Sequence, residues 1–127
     1  MDSEEQLNMP IARISFDQSL SAELAARAAA LIPTLSNILA VGLASERANP
    51  QVILQPGAYI SGPYLIYVDL QFRATPLRDK ERVTQVLTEL ADVLNVQFQS
   101  AVRLRGFAID QSTLSAVDFP PAGRTTE

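Results

Sequence analysis

Apolar and polar residues alternate at the head of the chain and again past its middle, and helical spacing follows each alternating run. In Pro10–Phe16 the residues Ala12, Ile14 and Phe16 fall on one strand face and Ile11, Arg13 and Ser15 on the other. Asp17-Gln18-Ser19 then supplies a turn and a helix N-cap. The run from Leu20 to Ile32 predicts a helix with Leu20, Leu24, Ala28 and Leu31 on one side. Pro33 is expected to kink that helix or end its first segment, with helical character resuming to about Leu39. Gly42 through Pro50 reads as a loop, Val52-Ile53-Leu54-Gln55 as a short strand, and Pro56-Gly57 as its close.

The strongest strand signal is Tyr64 to Arg73, where Tyr64, Ile66, Val68, Leu70 and Phe72 form a uniformly apolar face. Asp79 caps a second helix whose buried stripe is Val83, Val86, Leu87, Leu90, Val93 and Leu94. Ala101 to Ile109 is the fourth strand, with Arg103, Arg105 and Phe107 on one face. Two β-α-β units therefore follow each other, about 10–55 and 64–109. Right-handed crossovers put both helices on one face of a four-stranded mixed sheet, an α+β domain. Nothing in the pattern covers the other face, so association of subunits is expected. Residues 1–9, polar and acidic, read as a disordered extension or a start-site artefact; 10–119 form the domain, and 120–127 read as a flexible tail.

Composition narrows the chemistry. The 127 residues include no cysteine and no histidine, which removes disulfides, thiolate nucleophiles and the commonest metal ligand and base. No metal or cofactor is expected. With 14 acidic against 10 basic residues and Lys80 the single lysine, no basic patch suggests nucleic acid. The uncharged stretch from Ala28 to Ala44 is short for a bilayer span and contains Pro33, Ser36 and Asn37, so no membrane is expected. The acidic opening differs from a secretory signal, and a cytoplasmic protein is the expectation.

The stretch Met9-Pro10-Ile11-Ala12-Arg13-Ile14 carries the main chemical clue. Were translation to begin at Met9 and the methionine be removed, Pro10 would hold a free secondary amine; behind residues 1–8 its nitrogen is an amide with no usable lone pair. The stretch resembles the opening of 4-oxalocrotonate tautomerase, and the chain from 10 to 119 resembles the tautomerase superfamily, which includes malonate semialdehyde decarboxylase and macrophage migration inhibitory factor. Ser45-Glu46-Arg47 and Gln55-Pro56-Gly57 look like the Thr-Asp-Arg and Arg-Pro-Gly stretches of the decarboxylase. The resemblance implies a homotrimer with sites at subunit boundaries around the proline. It gives Pro10 the role of base and Glu46 that of a water-activating carboxylate. Arg73 resembles the first of two carboxylate-binding arginines; Thr75 stands where the second would be. Arg103 and Arg105 sit where the migration-inhibitory-factor branch places a tyrosine and an asparagine contributed by a neighbouring subunit. The implied reaction is keto-enol tautomerisation of a small oxo or unsaturated carboxylic acid. Hydration or decarboxylation is the alternative, as is a non-catalytic trimeric module if Pro10 is not the mature amino terminus.

Each of these residues also has a plainer reading. Proline often starts a strand where no hydrogen bond is needed. Arg103 and Arg105 could be solvated and paired with carboxylates such as Asp69. Glu46 could be an ordinary loop charge or a partner of Arg47. Tyr59, Tyr67 and Phe107 could line a small pocket, with Phe107 as a wall, or simply pack.

Overall fold

The computed structural model describes residues 10–45 and 50–122. Strand β1 is Ile11–Asp17, helix α1 Ser21–Gly42, strand β2 Gln51–Ala58, strand β3 Ile66–Arg73, helix α2 Lys80–Phe98 and strand β4 Val102–Ile109. The four strands form one sheet in the order β2-β1-β3-β4. β1 runs parallel to β2, β3 runs parallel to β4, and the two units join through the antiparallel pair β1 and β3. This is the expected α+β arrangement of two β-α-β units.

One apolar surface holds it together. Ala12, Ile14 and Phe16 of β1 and Ile66, Val68, Leu70 and Phe72 of β3 are buried against Leu24, Leu31, Leu35 and Leu39 of α1 and Val83, Val86, Leu90, Leu94 and Phe98 of α2. At about 1.5 to 3 kcal/mol for each large apolar side chain removed from water, this stripe-on-sheet contact dominates the fold's stability. Asp79 caps α2 as its position suggests, its side chain accepting from the Arg82 amide at 2.8 Å.

Three boundaries differ from the pattern's expectation. α1 runs unbroken through Pro33 to Gly42. Pro33 lies on the exposed side, where its missing N–H and the carbonyl it leaves unbonded face water, while Leu31 and Leu35 clamp both sides of it to the sheet. β2 extends past Pro56-Gly57 to Ala58, because a register shift opposite Ser15–Asp17 absorbs them, with Gly57 at φ 79°. β3 begins at Ile66, leaving Tyr64 in the preceding loop. By length and composition alone, the segment Gln18–Gly42 could cross a bilayer; here its leucine stripe is spent on the sheet.

The end of α1 packs on α2 so closely that a Cβ at Gly42 would overlap Val86 Cγ2. Val86 cannot swing away cheaply, because its branched Cβ has few rotamers. Gly42→Ala is therefore expected to destabilise the fold by about 1–3 kcal/mol despite alanine's better helix propensity, with Gly42→Ala/Val86→Ala recovering part of the loss. Urea denaturation of the three variants measures both quantities.

Candidate active site

The sheet face away from the helices carries the polar residues, and register arranges them in rows. Gln51, Ile11, Gln71 and Phe107 form a row nearest Pro10; Ile53, Arg13, Asp69 and Arg105 form the middle; Gln55, Ser15, Tyr67 and Arg103 lie farthest away. Pro10 leads into β1, fully buried, with its carbonyl accepting from the Gln51 amide at 2.9 Å. Because β3 is antiparallel to β1, its last residue, Arg73, returns to the Pro10 end of the sheet.

A cavity of about 220 Å³ opens at that end, lined by Ile11, Gln51, Gln71, Arg73 and Ile109 and, from the chain after β4, by Leu114, Ser115, Ala116 and Asp118. Contacts at both its backbone and its side chain hold Arg73. Its carbonyl accepts from Arg78 Nη1 at 3.0 Å, and its own Nη2 donates to Gln111 Oε1. Arg78 is itself buried, and its Nε donates to the Leu43 carbonyl at 2.9 Å, just beyond the end of α1. Burial lowers the Arg78 pKa from its ordinary value, and the neighbouring Arg73 charge lowers it further. Arg82 Nη1 adds a bond to the Gly42 carbonyl at 3.2 Å, so two guanidiniums satisfy carbonyls that the helix end leaves open.

The arginines expected to act together are spread out within one chain. Arg103, paired with Tyr67 and hence in the Ser15 row, is five strand positions from Pro10, about 17 Å at 3.3 to 3.4 Å per residue. Its guanidinium lies over the Tyr64 ring, 4.4 Å from the centroid. Arg105 stands opposite Asp69, and its Nη1 donates to the Leu104 carbonyl at 2.8 Å. Phe107, 46% exposed, lies opposite Gln71 in the row nearest Pro10. Glu46 lies outside the described residues. Sequence reasoning passed over Gln111, Arg78 and the 114–118 segment. Alternation could have put Gln71 on this face, but no local pattern ties Gln111, 38 positions away in sequence, to Arg73.

No family model matches the sequence, and no curated protein matches it either. Solved structures do. A 5-carboxymethyl-2-hydroxymuconate delta-isomerase superposes with a TM-score of 0.65 over 93% of each chain at 14% identity. A member of the cis-3-chloroacrylic acid dehalogenase family gives 0.66 over 89% of this chain and 85% of that one at 15% identity. A fused 4-OT, solved as an asymmetric trimer, gives 0.65 over 91% and 94% at 15% identity. The chain has the tautomerase-superfamily fold. At these identities the likeness is one of architecture, and the tautomerase-fold site residues of this chain rest on its own geometry.

The far end of the face is ordered by Asp17. Its Oδ1 accepts from the Ile60 amide at 3.0 Å, and its Oδ2 from the Ser19 hydroxyl at 2.7 Å and the Ser19 amide at 3.1 Å. These bonds, the one from Ile60 foremost, hold the Asp17 pKa below its ordinary value. A depressed native pKa means the carboxylate's contribution is present above about pH 4 and is lost as pH falls through the native value. The Ile60 amide resonance is therefore expected to shift and its exchange to quicken on acidification, and Asp17→Asn should remove that pH dependence.

Proposed function

We propose that this protein is a tautomerase-superfamily enzyme that uses the nitrogen of Pro10 as a base in keto-enol tautomerisation of a small oxo or unsaturated carboxylic acid. The observation that carries this reading is that Pro10 and Arg73 lie at the same end of the sheet, where Arg73 and Ile11, the residue after Pro10, line a small cavity. The prolyl nitrogen must be a free amine in the mature protein. Burial and the nearby guanidinium then disfavour the ammonium, leaving a lone pair near neutrality. Pro10 takes the proton α to the carbonyl, the electron pair moves to the carbonyl oxygen, and the same nitrogen returns the proton elsewhere on the conjugated system. Arg73 holds the carboxylate through its planar fork. The reaction calls on no cofactor, and the proposed compartment is the cytoplasm.

Arg103 and Arg105 act in this scheme from a neighbouring subunit, since 17 Å of strand, about five residues' rise, separates Arg103 from Pro10 in its own chain. Arg103 or Arg105 would stabilise the enolate, with Phe107 as a wall. The reading thus includes a homotrimer, and the open sheet face is the surface it would bury. A trimeric mass by light scattering at micromolar concentration is expected; a monomer would remove the arginines' role. The likeness to a dehalogenase-family structure supports a second reading, hydration or decarboxylation with Glu46 as the water-activating group. With Pro10 held as an amide, the fold would serve as a non-catalytic binding module.

Protein beginning at Pro10 should accelerate ketonisation of an enol such as 2-hydroxymuconate, and Pro10→Ala should lower kcat by about 100-fold or more. Equal rates would eliminate Pro10 as the base. Arg73→Ala should chiefly raise KM or lower kcat/KM by about 10-fold or more, the loss of a charge-assisted contact worth roughly 1.5–3 kcal/mol.

A further inference from the structure

The proposed reaction leaves Gln111 without a role, although its side-chain oxygen accepts from Arg73 Nη2 across 38 positions of sequence. A guanidinium carries donors only, so it is the amide oxygen of Gln111 that makes this contact. The turn that presents Gln111 is held by bonds of its own. β4 ends at Ile109, the register partner of Arg73, and the Ile109 carbonyl accepts from the Ala74 amide at 2.8 Å. Asp110 then caps the short 3-10 turn Gln111–Thr113: its side chain accepts from the Ser112 amide at 3.0 Å, and its carbonyl from the Thr113 amide at 3.0 Å. Gln111 therefore opens a turn anchored just beyond the strand pair that carries Arg73. The chain leaving that turn supplies Leu114, Ser115, Ala116 and Asp118 to the cavity.

We propose that Gln111 is a positioning residue for carboxylate recognition: it sets the plane of the Arg73 guanidinium, and Arg73 in turn takes the carboxylate of the substrate. The inference rests on the reading of Arg73 as the carboxylate's holder. A carboxylate forms parallel bonds with a guanidinium only when their planes coincide, so a head group free to rotate loses much of that geometry. An acceptor at Nη2 removes that freedom while occupying a single donor of the several that a guanidinium carries. Neutrality matters as much as reach. A glutamate at this position would offer the same acceptor atom with a full negative charge and would itself compete for Arg73, whereas the amide orients the guanidinium without neutralising it. Because Asp110 fixes the turn in advance, carboxylate binding requires little further ordering there.

The probe is trans,trans-muconate, an unsaturated diacid that has no enol hydroxyl and so binds without ketonising. Calorimetric titration of the intact protein is expected to show saturable binding, weakened about 10-fold or more in Arg73→Ala. Gln111→Ala, at an exposed position outside the core, should weaken it about 3- to 10-fold. Gln111→Glu should weaken it further than alanine does, because the added carboxylate competes for Arg73. The double variant decides between positioning and a structural role. Arg73→Ala/Gln111→Ala should match Arg73→Ala alone within about 2-fold, since a residue that acts through Arg73 has no effect once Arg73 is gone. A residue that merely shapes the cavity wall would add its full loss in that background. The proposal is overturned if millimolar muconate fails to bind the unaltered protein, if Gln111→Ala or Gln111→Glu binds it as the unaltered protein does, or if the losses at Arg73 and Gln111 add in the double variant. Failure of Pro10 as the base shows separately, as absent ketonisation with muconate binding intact, and leaves this result standing.

Discussion

The one-sided burial of a four-stranded sheet governs this molecule. Two helices supply one apolar layer, and strict period-two alternation in β1 and β3 turns every large apolar side chain of those strands' core faces toward it. A slip of one residue in either strand would exchange Ile14 and Val68 for Arg13 and Asp69 in the core. The chemical face inherits its order from that constraint. Register that is fixed by packing on the helix side fixes, without further cost, which polar residues share a row on the other side.

The antiparallel joining of the two units separates the chemistry into two ends. Pro10 enters β1 beside the exit of β3, so Arg73 lies near it, while β4, running with β3, starts at the far end and carries Arg103 there. Each end then acquires its own support. Arg78, buried between the end of α1 and the backbone of Arg73, holds the first; Asp17, drawing Ile60 and Ser19 onto its carboxylate, holds the second. These supports differ in character. Breaking Arg78 would leave buried carbonyls without partners, a cost set by desolvation, whereas Asp17 is open to water and organises a loop by accepting several hydrogen bonds at once.

The core was legible in the sequence because alternation and helical spacing are local signals: Ile66, Val68, Leu70 and Phe72 could be assigned to one face from their order alone, as could the stripe from Val83 to Leu94. The passage of α1 through Pro33 was not legible. Whether a proline breaks a helix depends on which side it faces and on what clamps its neighbours, and both are tertiary facts. The same holds for the site. Pro10 and Arg73 could be singled out as residues, yet their arrival at one end requires the antiparallel pairing, and the Gln111 contact requires a turn beyond β4 that has no periodic signature.

The middle row adds a condition on whatever meets this face. Arg13, Asp69 and Arg105 bring two guanidiniums and one carboxylate to adjoining strands, with Ile53 at the edge. Desolvating such a row without further partners costs several kcal/mol for each ion left uncompensated, more than the area of a single apolar side chain such as Ile11 returns. A covering surface must therefore supply an acceptor to the second guanidinium or leave water around it. Arg105 already turns toward the Leu104 carbonyl of its own strand, which satisfies a donor but not the charge. Hydrophobic area alone cannot close this face; its partner has to be matched in charge along the middle row, while the two ends remain cavities large enough for small ligands.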